Sequence, residues 1–102
     1  MSDHAVIINF DYGKRDLSAY FEARDKLRAV IDKAQVGEFE GNEIAVDRSD
    51  GSFFMCGPDA DSLFNAIKAT LKEIPFMAGA TVTKLYGPPE DGVREEVITL
   101  DA

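Results

Sequence analysis

Two side chains of this sequence belong to types that often carry out acid–base or covalent chemistry, its single histidine, His4, and its single cysteine, Cys56. Such groups act when a second group holds or activates them. His4 lies near the start of the chain, where we expect an exposed and uninvolved imidazole. Cys56 precedes a predicted helix whose dipole could lower the thiol pKa. It has no histidine or lysine neighbour in the sequence, so we interpret it as a small buried hydrophobe and predict no catalytic residues.

The spacings typical of metal and cofactor sites do not occur in the sequence. CxxC, HExxH, GxGxxG and P-loop motifs are missing, so zinc, dinucleotide and nucleotide sites have no support. The acids of Asp47–Gly51 have the wrong spacing for a calcium loop. Gly57–Asp61 opens a helix whose amides could bind an anion, but Asp59 and Asp61 already occupy that place. We therefore predict no metal site and no cofactor.

The charge balance argues against nucleic acid and membranes as partners. The 102 residues include 19 acidic and 11 basic side chains, which gives a net charge of -8. This negative field repels phosphate backbones and anionic lipids and favours basic partners. The hydrophobic content of 45% is that of a chain with a packed core. We predict a single domain over residues 1–102.

Cysteine usage and hydropathy favour a cytoplasmic location. One cysteine cannot form an internal disulfide. No apolar run approaches the roughly 18 residues that a membrane span needs. The first residues, Met1 to His4, do not resemble a secretion signal, so we expect a cytoplasmic protein.

The first half of the chain predicts a strand, a helix and a second strand. Alternating apolar residues indicate a central strand over 5–12. A helical apolar stripe runs from Leu17 to Ala34, with Asp16 placed to cap its start and Gly37 its end. Residues 38–47 are strand-like, but their apolar phase changes, which predicts a bulge near Gly41 in an edge strand.

The second half repeats the pattern and adds one strand. The hairpin signal at 48–51 leads into a third strand over 52–57. A second helix begins at Pro58 to Asp61 and ends at Pro75. Strands follow over 80–87 and 93–100, joined by a turn. This order predicts an α+β fold, a ferredoxin-like βαββαβ sandwich with an antiparallel sheet, both helices on one face and an extra C-terminal edge strand beside the fourth.

The predicted third strand is apolar on both faces, and one of those faces must point away from the helices. Because cysteine prefers burial, we expect Phe53 and Met55 to face outward, together with Ile7 of the first strand. An exposed apolar patch of this kind usually marks an interface. We therefore predict that Ile7, Phe53 and Met55 bind a protein partner or a second copy of the chain. The alternative is that the C-terminal segment covers this face.

Three segments, Val36–Ile44, Gly57–Phe64 and Leu85–Pro89, look like parts of small stand-alone bacterial proteins of uncharacterised function with a ferredoxin-like fold. The similarity runs through most of the chain from about residue 17 onward. It implies a bacterial origin and this fold, and it implies no activity.

Three classes of function follow. We favour a non-enzymatic interaction or regulatory domain that self-associates as a homodimer through its open sheet face. The first alternative is an acidic inhibitor or immunity-type protein that binds a basic enzyme, using Glu38, Glu40, Glu43, Asp47, Asp50, Glu95 and Glu96. The second alternative is a small enzyme or ligand binder built as a dimeric α+β barrel, whose pocket would use Asn9, Tyr12 or Tyr86.

Overall fold

The structure, a computed structural model, describes residues 4–13, 16–47, 49–87 and 92–100. Within these residues the elements follow the predicted order. They are β1 (His4–Asp11), α1 (Ser18–Ala34), β2 (Glu38–Ile44), β3 (Asp50–Gly57), α2 (Ala60–Glu73), a short 3-10 helix (Pro75–Met77), β4 (Thr81–Leu85) and β5 (Glu95–Thr99).

The five strands form one open antiparallel sheet in the order β2-β3-β1-β4-β5. β1 lies at the centre, as its apolar pattern predicted, and its helix-facing residues Val6 and Ile8 are fully buried. β5 pairs with β4 at the edge of the sheet, also as predicted. The α+β class is therefore confirmed, with a five-stranded antiparallel sheet and two helices.

The edge strand β2 contains the predicted bulge. Its pairing with β3 shifts between Phe39 and Gly41, so that one extra residue, Glu40, lies opposite the partner strand. The shift reconciles the apolar side chains of Phe39 and Ile44, which have different parities in the sequence, because both can then lie on the same face.

Local chemistry explains where α1 begins and ends. The carboxylate of Asp16 accepts a hydrogen bond from the amide of Ser18, the first helical residue, at 2.9 Å, although the N-cap position is Leu17, whose side chain makes no capping hydrogen bond. The predicted end at Gly37 was wrong: the helix ends at Ala34, and Gln35 adopts the left-handed conformation (φ 54°). Gly37 instead allows the chain to pass close to β3, because a Cβ at this position would lie 2.1 Å from the carbonyl oxygen of Cys56.

The second helix lies within the predicted segment, but it begins at Ala60 after the N-cap Asp59, so Pro58 precedes the helix and is not in its first turn. The Asp59 carboxylate accepts hydrogen bonds from the amide of Asp61 and the hydroxyl of Ser62, both at 3.0 Å. Pro75 follows the last residue of the helical pattern and ends it. Neither helix of the described residues combines the length and the apolar content that crossing a membrane would require.

The core lies between the sheet and the two helices, which contact each other on one side of the sheet. Side chains from β1, β3 and β4 meet the apolar stripes of α1 and α2 there. The largest fully buried ones are Tyr20, Phe53, Ile8, Leu27, Ile31, Met55, Leu63, Ile67, Leu71, Met77, Val6 and Val82.

The predicted outward orientation of Phe53 and Met55 was wrong. Their side chains are 0% and 1% exposed and belong to the core. The register explains this, because Phe53 lies opposite Ile8 and Met55 opposite Val6, both on the helix-facing side of β1. Side chains alternate along a strand, so the residues of β3 that face away from the helices are Ser52, Phe54 and Cys56.

Candidate interaction surface

The face of the sheet that points away from the helices, called the open face below, has an apolar centre. Ile7 lies on it as predicted, and its partner across the strands is Phe54. The register extends this pair to one residue from each strand, in the order Gly41, Phe54, Ile7, Thr83 and Val97. We call these five residues the central row. It is roughly 19 Å long, because neighbouring strands lie about 4.8 Å apart.

The central row is partly accessible to solvent. Ile7 and Phe54 are half-buried, and the Val97 side chain is 57% exposed. On one side the row is bordered by polar residues, where the Ser52 hydroxyl donates a hydrogen bond to Asn9 at 2.6 Å. On its other side Leu85 is only 9% exposed, which marks one limit of the accessible apolar area.

The C-terminal segment does not cover the central row, as far as the chain is described. β5 continues the sheet beside β4. Beyond it, the Leu100 amide donates to Ala80 and the Gly79 amide donates to Leu100. Residues 92–100 therefore lie alongside the sheet, and the alternative that they fold across its face is wrong for these residues.

Carboxylates of the edge strand β2 lie beside the apolar centre, at one edge of the open face. Glu38, Glu40 and the thiol of Cys56 each place a possible metal-ligating atom within 4.8 Å of the others. The Cys56 thiol donates a hydrogen bond to Glu40 at 2.7 Å, and Cys56 is half-exposed instead of buried as expected. Thiolate and carboxylate ligands suit different metals, and exposed carboxylates are common on edge strands, so this geometry alone assigns no metal.

The residues expected to line a barrel-type pocket lie in three separate places. Asn9 is exposed on the open face. Tyr12 is buried at the other side of the sheet, where its hydroxyl contacts the carbonyl oxygen of Asp16. Tyr86 lies beside the start of α2, where its hydroxyl is 2.6 Å from Asp61. The structure does not bring these three side chains together.

A polar cluster holds β4 and β5 against the first turn of α2. Lys84 is 7% exposed, and its ammonium lies 3.0 Å from Asp61 and 3.9 Å from Glu96. The same ammonium lies 4.8 Å from the centre of the Phe64 ring, close enough for a cation–π contact. The Tyr86 hydroxyl lies 2.6 Å from Asp61 and 3.2 Å from Glu96.

The pKa values in this cluster favour a structural role. The hydrogen bond from Tyr86, with that from Lys84, holds the pKa of the Asp61 carboxyl below its usual range. The hydrogen bond to Asp61 raises the pKa of Tyr86 far above its usual range, with burial and Glu96 acting in the same direction. Tyr86 is therefore a neutral donor at physiological pH, and its hydroxyl does not supply a base.

Two residues of this cluster, His4 and Lys84, were not among the predicted functional residues. His4 is half-buried, and its Nδ1 accepts a hydrogen bond from the Ala60 amide at 3.0 Å, so the expected uninvolved imidazole was wrong. Its ring also meets Tyr86 edge-on, with centroids 5.5 Å apart. The second residue is Lys84. Side chains alternate along a strand, so Lys84, two residues after the apolar Val82, is expected to face the helices as Val82 does.

Comparison with known proteins adds no assignment. The sequence matches no protein-family model, and a search of curated proteins found no significant match. The resemblance to small bacterial proteins therefore stays a prediction.

Proposed function

We propose that this chain is a non-enzymatic protein-interaction domain that binds through the open face of its sheet. The observation that carries the proposal is the central row, in which Ile7, Phe54 and Val97 lie on the face without helices. Apolar residues gathered on one accessible surface favour association, because binding removes them from water. The interface prediction thus keeps Ile7 and replaces Phe53 and Met55 with Phe54 and Val97.

The fold proposed for this domain is the ferredoxin-like sandwich with an added fifth strand. The strand order β2-β3-β1-β4, with two helices that contact each other on one face, supports it. This arrangement leaves the opposite face of the sheet available to a partner. The fifth strand, which pairs with β4, widens that face by one strand.

Site-specific photocrosslinking tests the proposed surface. A benzophenone amino acid at position 54, in place of Phe54, is expected to form covalent adducts with a partner in the source cells. The control places the same group at Phe21, which is 40% exposed on α1. Adducts from position 54 and none from position 21 support the proposal, whereas equal yields or no adduct from position 54 contradict it.

Self-association is the form of this proposal that the sequence favoured, and sedimentation tests it. If the wild type forms a dimer at high protein concentration, Phe54→Glu is expected to convert it to a monomer, because a buried unpaired carboxylate opposes association. The Phe21→Glu control should sediment as the wild type does. A wild-type monomer at every concentration would contradict homodimerisation and would leave the crosslinking result to decide the wider proposal.

An inhibitor or immunity-type protein that binds a basic enzyme is the second candidate. One observation favours it: Glu38, Glu40 and Glu43 lie together on β2, at the edge of the sheet. The dimeric barrel, by contrast, gains no support, since Asn9, Tyr12 and Tyr86 lie apart.

A further inference from the structure

The charges of this protein are divided between its two layers. The five strands carry seven carboxylates and one lysine, whereas α1 and α2 together carry five carboxylates and six basic side chains. The helix layer is therefore nearly neutral, and the sheet holds most of the negative charge. Such a separation gives the two sides of the molecule different electrostatic potentials.

The lysine of the strands does not reach the open face. Lys84 points toward α2, and its side chain is 9% exposed beside Asp61. Glu96, on the same side of β5, lies near it. By strand alternation the other six strand carboxylates belong to the open face and its rim. They are Asp11, Glu38, Glu40, Glu43, Asp50 and Glu95.

A second copy of the chain is a poor electrostatic match for this face. Two sheets that pack face to face with aligned strands around a two-fold axis place β2 of one copy opposite either β2 or β5 of the other. On the open face β2 carries Glu38, Glu40 and Glu43, and β5 carries Glu95. Both arrangements bring carboxylates together, which opposes association.

We propose that the occupant of the open face is a cationic polypeptide surface with an apolar centre. This inference rests on the proposed function, because it names the partner class for the same surface. The apolar centre of the partner packs on Ile7 and Phe54, and its lysine or arginine side chains pair with the carboxylates at the rim. Rim charges of this kind mainly raise the association rate and select the partner.

Nuclear magnetic resonance titration of the isotope-labelled full chain tests this inference with two matched probes. One is a short peptide that alternates leucine and lysine, and the other alternates leucine and glutamate. The lysine peptide is expected to shift the resonances of Ile7, Phe54 and Thr83, and the glutamate peptide is not. Raising the ionic strength from about 0.1 M to about 1 M shortens the Debye length from about 10 Å to about 3 Å and should weaken binding.

Two variants with equal net charge separate the local effect from that of the overall charge. One removes three carboxylates from the open side, Glu38→Gln, Glu40→Gln and Glu43→Gln. The other removes three exposed carboxylates from the helices, Glu22→Gln, Asp32→Asn and Glu73→Gln. The first set is expected to weaken lysine-peptide binding by roughly tenfold, from three surface ion pairs. The helix set should change it by less than about twofold.

The possible outcomes distinguish this inference from the proposed function. Equal binding of both peptides at the central row would overturn the cationic partner and support the interaction surface. Shifts at Ile7 and Phe54 that depend on protein concentration, without peptide binding, would identify a second copy as the occupant and overturn the inference. Peptide-induced shifts confined to the helices, or equal effects of the two triple variants, would also overturn it. Shifts at the helices together with no crosslink from position 54 would contradict the proposed function as well.

Discussion

Phe53 and Phe54 are neighbours in the chain and lie on opposite sides of the sheet. The Phe53 ring is 0% exposed and packs among aromatic rings, with centroid distances of 4.9 Å to Phe10 and 5.4 Å to Tyr20. Phe54 is half-buried on the open face, where it pairs with Ile7 across the strands. Phenylalanine therefore contributes to the core on one face of the strand and is partly accessible to solvent on the other.

The two faces also differ in whether their charged side chains have partners within the chain. On the helix-facing side, Lys84 is surrounded by partners, including Asp61 and the Phe64 ring. On the open side, the carboxylates of β2 are exposed or are contacted by neutral groups such as the Cys56 thiol. On the helix-facing side, the charged Lys84 has partners within the chain. The open side instead exposes carboxylates and apolar side chains to solvent.

Truncation of the two phenylalanines should show the largest difference between the faces. Phe53→Ala leaves a cavity in the aromatic core and is expected to lower the free energy of unfolding by about 3 to 5 kcal/mol. Phe54→Ala should lower it by less than about 1.5 kcal/mol, because this ring has few core contacts. Urea unfolding of both variants measures the difference. Equal losses would mean that the open face is packed in the isolated chain.

A methyl group added at a glycine on each face should cost different amounts of stability. At Gly51, on the helix-facing side, a Cβ would lie 2.8 Å from the Glu43 carbonyl oxygen and 3.0 Å from the Phe10 ring. We expect Gly51→Ala to destabilise the fold by about 1 to 3 kcal/mol. At Gly41, in the central row, a Cβ would meet nothing within 4 Å, and Gly41→Ala should change stability by less than about 0.5 kcal/mol. The same unfolding assay applies, and a costly Gly41→Ala would argue against an accessible row.

Removal of the buried lysine tests the charge on the helix-facing side. Lys84→Met keeps the aliphatic packing on Phe64 but removes the ammonium that lies 3.0 Å from Asp61 and 3.9 Å from Glu96. We expect a loss of about 1 to 2 kcal/mol, less than for a fully buried pair, because the carboxylates remain partly exposed to water. Lys68→Met, on the exposed side of α2, is the matched control and should be near neutral. A neutral Lys84→Met would show that the cluster does not hold β4 and β5 in place.

The pH dependence of stability should show the smallest effect, confined to the polar cluster. The pKa of Asp61 is lowered in the folded state, so its contribution is complete above the unfolded value of about 3.9 and is lost as the pH falls below it. The pKa of Tyr86 is raised, so its contribution is present below about pH 10 and is lost as the pH rises further. Asp61→Asn should flatten both limbs of a plot of melting temperature against pH. Limbs identical to the wild type would contradict these assignments.

Most of the fold follows from patterns within the sequence. The strand over 5–12, the bulge near Gly41 and the helix start at Asp59 each have a local cause, namely alternation, a phase change and a capping carboxylate. The end of α1 was less predictable, because Gln35 adopts the left-handed conformation that Gly37 was expected to supply. Gly37 instead permits the close passage of the chain beside Cys56.

The orientation of β3 could not be predicted from burial preferences. The strand is apolar on both faces, and the preference of cysteine for burial suggested that Phe53 and Met55 face outward. Ser52 lies on the same face of the strand as Phe54 and Cys56. Because serine is usually exposed, it was the better indication that this face points away from the helices. The contacts of Lys84 and His4 depend on the approach of α2 to β1 and β4, which is a tertiary feature.

Paramagnetic relaxation by a water-soluble gadolinium probe measures the accessibility of adjacent side chains and therefore tests whether the central row is exposed to solvent. We expect strong relaxation at the Ile7 methyl groups and the Phe54 ring, and little at Ile8 and Phe53, which are 0% exposed. Each pair of neighbours provides its own internal control. Equal protection of Ile7 and Ile8, and of Phe54 and Phe53, would show that the central row is covered and would contradict its proposed role as a binding surface.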